Sequence, residues 1–151
     1  MPNKYLVAIE LDEISANAVL DKANALCDPA DHCDLIHVID PTTIAYAIDP
    51  TFSGKFARDF EDNAIQKVHK RMLELISNYN LPNCTCHVRV GHVAREVSAL
   101  LASDAYSVLI IGSHGRRGWQ RLLGTHAASI VSRSPVDTWV FKVPELPSPP
   151  T

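Results

Sequence analysis

The chain has 151 residues, 46% of them hydrophobic, a length suited to one core that buries about 68–70% of its unfolded surface without disulfide or metal staples. Fourteen Lys and Arg against seventeen Asp and Glu give a formal net charge of -3, which disfavours a nonspecific polyanion binder. No apolar run reaches the roughly 18–20 residues of a membrane span, and Met1-Pro2-Asn3-Lys4 enters a short apolar stretch with no signal-peptide cleavage region, so a soluble, cytoplasmic protein is expected.

Five short apolar runs have strand length: Tyr5 to Glu10, Asp34 to Ile39, Cys84 to Val90, Val108 to Gly112 and Val136 to Val143. Helical periodicity fills the gaps. Ile14, Ala18, Ala23 and Leu26 mark a first helix, and Phe56, Phe60, Ala64, Val68, Met72, Ile76 and Tyr79 a long second one. Val93, Val97, Leu100 and Leu101 mark a third, and Leu123, Ala127, Ile130 and Val131 a fourth. Strictly alternating strands and helices imply βαβ crossovers and a parallel sheet covered by helices on both faces. The first and fourth runs are continuously apolar, as central strands are, whereas the third alternates Cys84, Cys86, Val88 and Val90 with polar residues and reads as an edge. The last run is apolar on both faces. At an edge it needs covering, which a second copy of the chain about a two-fold axis would do, so a homodimer is expected. Pro41 to Thr51 reads as a surface loop, and 145–151 as a Pro-rich tail after a single domain over 1–144.

Cys27, Cys33, Cys84 and Cys86 match no zinc ribbon and no Cys-x-x-Cys motif, and read as reduced thiols facing a core. A metal site joining Cys84 and Cys86 to His87 is disfavoured, because strand alternation sends the imidazole to the opposite face. No metal site is expected.

The sharpest signal is glycine placement. Four of six glycines, Gly112, Gly115, Gly118 and Gly124, fall in the segment Gly112-Ser-His-Gly-Arg-Arg-Gly-Trp-Gln-Arg-Leu-Leu-Gly-Thr125, which leaves a central strand and feeds a helix. Glycines let backbone amides approach an anion, and a helix N-terminus adds unpaired donors, so the segment has the character of a phosphate loop. Ser113, Arg116, Arg117, Arg121 and Thr125 are further donors; a Gly-rich turn with a capped helix and solvated arginines is the structural alternative. In a doubly wound sheet the ligand crevice lies at the carboxyl ends of the strands where winding reverses, which puts Glu10 and Asp12 opposite the Gly112 segment, Asp12 being equally suited to cap the first helix. There is no G-x-x-x-x-G-K-[ST], no G-x-G-x-x-G after the first strand and no nucleophile elbow. His114 is suggestive only in isolation, and His37 reads as a satisfied core histidine. Dedicated catalysis is not expected.

Leu6-Val-Ala-Ile-Glu10, Leu35-Ile-His-Val-Ile39, Val90-Gly-His-Val-Ala94 and Val108-Leu-Ile-Ile-Gly-Ser-His-Gly-Arg-Arg-Gly118 together resemble the universal stress protein family across nearly the whole chain. The resemblance implies a five-stranded parallel sheet in the order 3-2-1-4-5, of the adenine nucleotide alpha hydrolase-like type, dimerising through the fifth strand. It implies an adenine-nucleotide-binding stress-response or signalling module for ATP or AMP, with Mg²⁺ arriving only on the nucleotide, at most slow hydrolysis, and a protein partner of unknown identity. No nucleic-acid or membrane partner is expected. Nucleotide-binding members carry G-x2-G-x9-G-[ST], onto which Gly112, Gly115, Gly124 and Thr125 fall. Here eight residues, Arg116 to Leu123, stand where that pattern has nine. The family's ligand-contacting Asp falls on Glu10, Val38 would line the adenine pocket, Gly91 would open a turn beside the ribose and phosphates, and Ser113 and Arg116 would add phosphate contacts. The alternative is a nucleotide-independent dimeric interaction protein, motivated by the shortened spacer and by Glu10.

Overall fold

The structure is a computed structural model that describes residues 2–41, 54–114 and 127–144. In chain order the elements are β1 (Lys4–Ala8), α1 (Glu13–Leu26), β2 (His32–Ile39), α2 (Gly54–Ile76), β3 (Cys86–Val90), α3 (Val93–Ser103), β4 (Val108–His114), α4 (Ala127–Arg133) and β5 (Asp137–Val143). All strand pairs are parallel, and the sheet order is β3-β2-β1-β4-β5. The expected fold class is therefore the observed one.

The period of two along β1 divides the core. Tyr5 and Val7 join Ala16, Val19, Leu20 and Ala23 of α1 and Met72 and Leu75 of α2 in one apolar layer. Leu6 points the other way, into a second layer with Ala94, Val97, Leu100 and Leu101 of α3 and Ile130 of α4. Burial on both faces explains why β1 and β4 read as unbroken apolar runs. The edges differ accordingly: every residue of β3 is at least partly accessible, and Trp139 and Val140 of β5 are each 37% exposed.

Several boundaries shift from expectation. β1 stops at Ala8, β2 begins two residues earlier at His32, β3 begins at Cys86, and β4 continues through Ser113 to His114. The extra length of β4 comes from pairing with β5, which runs from Val108↔Asp137 to His114↔Val143 and gives Ser113 and His114 ladder partners. The apolar face of α1 is also rotated: Ile14 is 43% exposed, while Ala16, Val19, Leu20 and Ala23 are buried. That set follows the i, i+3, i+4, i+7 pattern, and Ile14 falls outside its stripe.

The amino-terminal edge of the sheet is tied together by polar groups. The Tyr106 hydroxyl donates to buried Asp34 at 2.7 Å, the Thr85 amide donates to the same carboxylate at 3.1 Å, and His87 Nε2 lies 3.5 Å away. Lys4 lies 3.9 Å from Asp34, pairs with Asp104 and sits over the Tyr106 ring. Burial first, and then the bond to Asp34, push the Tyr106 phenol above its ordinary range.

Candidate functional site

Consecutive strands run outward from β1 to β3, and the chain then crosses to the other side of β1 through α3 to form β4. Winding reverses between β1 and β4, the place where open α/β sheets leave a crevice at the strands' carboxyl ends. A cleft of about 460 Å³ opens there. Its walls are mostly apolar, with Ile9, Val19, Ile36, Val38, Val97 and Ile111 among them, and its polar groups are Glu10, Asp12, Ser15 and His37.

Local chemistry sets each of these polar groups. Asp12 has extended backbone angles and its Oδ2 accepts the Ser15 amide at 2.8 Å, which makes it the N-cap of α1 as well as a wall of the cleft. Capping the helix does not take Asp12 out of the cleft wall. Glu10 is exposed on the stretch joining β1 to α1. His37 Nδ1 donates to the Ile9 carbonyl at 2.8 Å; because a carbonyl only accepts, the bond fixes the proton on Nδ1 and leaves Nε2 an acceptor in the neutral ring. His37 is thus satisfied, as expected, and it is also a cleft residue.

Gly112 acts through close packing. A Cβ built there would lie 2.7 Å from a methyl of Val19 on α1 and 2.7 Å from a methyl of Val143 on β5. Its own partner in the sheet is Phe141. The missing side chain lets α1 and β5 close over the floor of the cleft; the glycine is in β4, upstream of any loop that leaves the strand. Gly91 has φ +154° and donates its amide to the Ile39 carbonyl at 3.0 Å, while a Cβ would meet Glu96 Oε1 at 2.7 Å. The conformation favours glycine at this turn into α3, whereas the flexible Glu96 side chain can move aside.

Of the expected site residues, Glu10, Val38 and Gly112 meet in the cleft. Ser113 is buried in β4, and neither it nor Gly91 is among the cleft's lining residues. Gly115, Arg116, Gly124 and Thr125 lie outside the described residues, as do Arg117 and Arg121. Sequence reasoning did not place Val93, Val97, Ile130 or Val143 at the cleft. A signal existed for the first two: Val90-Gly-His ends β3 and starts α3 on the carboxyl side of the sheet, so the first turns of α3 must stand at the crevice mouth. Among the described residues no group of three or more His, Cys, Asp or Glu is arranged to hold a metal ion, and no helix is long and apolar enough to cross a membrane.

The universal stress protein family model matches residues 1–142. The chain belongs to the universal stress protein family. It is 28% identical over 141 residues to universal stress protein A homolog 2 of Coxiella burnetii, covering 93% of this chain and 94% of that relative. Among solved structures, a hypothetical protein used as a test case for assigning biochemical function from structure superposes with a TM-score of 0.72 at 19% identity, covering 98% of this chain and 99% of the other. A universal stress protein in complex with cAMP gives a TM-score of 0.59 at 16% identity, with 93% and 97% covered. A universal stress protein family protein from Arabidopsis thaliana with AMP bound gives 0.52 at 17% identity, with 94% and 92% covered. These likenesses show that the chain has the fold of the universal stress proteins it resembles.

Proposed function

We propose that this universal stress protein is an adenine-nucleotide-binding module that takes ATP or AMP in the cleft between β1 and β4. The observation that carries the proposal is the cleft itself: about 460 Å³ with mostly apolar walls, two carboxylates in its lining, and a glycine at the switch point of the sheet. Two structural neighbours with adenine nucleotides bound, one with cAMP and one with AMP, support the same ligand class. In this reading Val38 and its apolar neighbours hold the base, and Glu10 accepts from ribose hydroxyls. In the same reading the Gly115 to Thr125 segment takes the phosphates, which the charges of Glu10 and Asp12 repel. Mg²⁺ enters only with a nucleotide, and the module binds rather than turns over its ligand.

A second reading, a nucleotide-independent dimeric interaction protein, draws on one specific observation. The described residues lining the cleft include two carboxylates and no lysine or arginine, and the segment proposed to hold the phosphates has a spacer one residue short of the family pattern. In both readings the chain is a homodimer through β5.

Titration calorimetry of the purified chain with ATP and with AMP, paired with native mass spectrometry, separates the two. One nucleotide per chain, lost on Gly115→Trp while circular dichroism is unchanged, is the expected result. A folded wild-type chain that takes up neither nucleotide would move it to the nucleotide-independent reading.

A further inference from the structure

Glu10, the carboxylate assigned above to the ribose hydroxyls, lies on the stretch between β1 and α1 rather than in either element. A long side chain on such a stretch is only as well placed as its backbone. That backbone is held on both sides of Glu10. Before it, the Ile9 amide donates to the Ile36 carbonyl at 3.0 Å, one bond past the end of β1, and the Ile9 carbonyl accepts from His37 Nδ1 at 2.8 Å. Ile36 and His37 are consecutive residues of β2, so Ile9 is fastened twice to the neighbouring strand. After Glu10, the Leu11 carbonyl accepts from Arg71 Nε of α2 at 3.4 Å, and the Asp12 carbonyl accepts the Ala16 amide at 2.9 Å.

The two side-chain bonds are not equal. Arg71 bonds at a distance past the usual range, its side chain is 39% exposed, and it also lies 3.7 Å from Glu74. His37 is half-buried, bonds at an ordinary N–H···O distance, and stands on a strand paired with β1 on one side and β3 on the other. The imidazole is therefore the firmer anchor, since a side chain on a strand held by two ladders is better fixed than one on a helix surface. His37 also lines the cleft, so its effect through Ile9 has to be separated from any contact of the ring with a ligand.

We propose that His37 is a positioning residue: through the Ile9 carbonyl it fixes the backbone that carries Glu10, and so sets where that carboxylate meets the ribose hydroxyls of a bound nucleotide. The proposal rests on the nucleotide reading of the cleft for its ligand and on the Ile9 bond for its mechanism. Removing the Nδ1 donor loosens the peptide that leads into Glu10, and a binding group misplaced by about 1 Å loses hydrogen bonds that depend on direction. The atoms of the ring divide the role. His37→Asn puts an amide N–H near the position of Nδ1 and drops Nε2, whereas His37→Leu keeps bulk and has no donor.

The test is titration calorimetry of the full chain with AMP and with 2′,3′-dideoxyadenosine monophosphate, paired with amide hydrogen exchange across residues 9–12. His37→Leu is expected to weaken AMP about two- to tenfold, the range of one neutral hydrogen bond, and to change the dideoxy nucleotide little, so the preference for ribose hydroxyls shrinks. His37→Asn should recover most of that preference. In a Glu10→Ala background His37→Leu should cost nothing further, because the carboxylate it positions is gone. Exchange across 9–12 should quicken in His37→Leu and return toward wild type in His37→Asn. Equal losses for both nucleotides, a full loss that persists in the Glu10→Ala background, or exchange unchanged in His37→Leu overturns the proposal. If His37→Leu does not fold, His37→Gln, which moves the donor to the Nε2 position, takes its place with the same expectations. A folded wild-type chain that takes up no AMP overturns the nucleotide reading and the ribose role with it, while the exchange comparison still decides whether His37 holds the backbone at Glu10.

Discussion

At Gly112 a backbone position that looked like part of a ligand loop is decided by two valine methyls. Overpacking a close-packed interior costs about 1–3 kcal/mol, and Gly112→Ala places a methyl 2.7 Å from both Val19 and Val143. The variant should lose stability in that range by urea unfolding. Adding Val19→Ala should recover part of the loss, a coupling of at least about 0.5 kcal/mol in the double-mutant cycle; strictly additive effects would show that the valine contact is not the cause. This role was hidden in the sequence, because it depends on where α1 and β5 cross β4. Asp31 is a second case of chemistry that only the fold reveals. Its carboxylate accepts the Asn3 amide at 2.7 Å and the Asp28 amide at 2.8 Å, and these bonds, Asn3 first, hold its pKa below the usual carboxylate range. A depressed folded-state pKa contributes stability that is complete above the unfolded value and is lost as pH falls through the folded one. Asp31→Asn should therefore be less stable than wild type at neutral pH, and the gap should narrow as pH drops below about 4. Parallel urea midpoints at neutral and acidic pH check this; a gap that stays constant would remove the carboxylate as its source.

Secondary elements were legible to the extent that periodicity alone forms them. The unbroken apolar runs of β1 and β4 and the alternation of β3 each report how many faces are covered, and the sheet agrees with all three. The face of α1 was less legible. Ile14 is as apolar as any residue of α1, yet it falls outside the stripe of Ala16, Val19, Leu20 and Ala23 that meets the sheet, and it is left 43% exposed. The extension of β4 to His114 was invisible for a different reason: Ser113 and His114 have no strand-like pattern of their own and are ordered by the β5 ladder. At the start of α1, however, the sequence signal was sound, since Asp12 stands three residues before Ser15 and its side chain takes that residue's amide. Removing an N-cap acceptor costs about 0.5–2 kcal/mol, so Asp12→Ala should lower the thermal midpoint accordingly, while Asp12→Asn, which keeps the acceptor, should lie close to wild type. Nucleotide titration of the Asn variant then reads the charge at the cleft apart from the cap. If Asp12 repels phosphate, the neutral variant should bind ATP more tightly than wild type does.

For the molecule as a whole, the order β3-β2-β1-β4-β5 leaves two edges that the chain treats differently. β3 places charged Arg89 in an exposed position, a common defence against edge pairing, whereas the accessible residues of β5 include Trp139 and Val140, each 37% exposed. Trp139 is partly engaged, its ring 6.2 Å from that of Tyr5 and tilted by 52°, so its surface is held at the sheet edge rather than free to fold away. Val140 is on the opposite face of the same strand. An apolar edge open on both faces is what a two-fold copy of the same strand would cover, and the homodimer proposed above follows from this feature of the fold. Charge at that seam should oppose it. Val140→Lys puts an ammonium where the copies would meet, and in sedimentation equilibrium the variant should be a monomer at micromolar concentrations at which the wild type is a dimer. Its unfolding midpoint should fall only through loss of the dimer, because Val140 is not part of either buried layer. A wild-type monomer at those concentrations, or a Val140→Lys dimer as tight as wild type, would move the contact away from β5 and leave Trp139 and Val140 as the surface on which to look for a different protein.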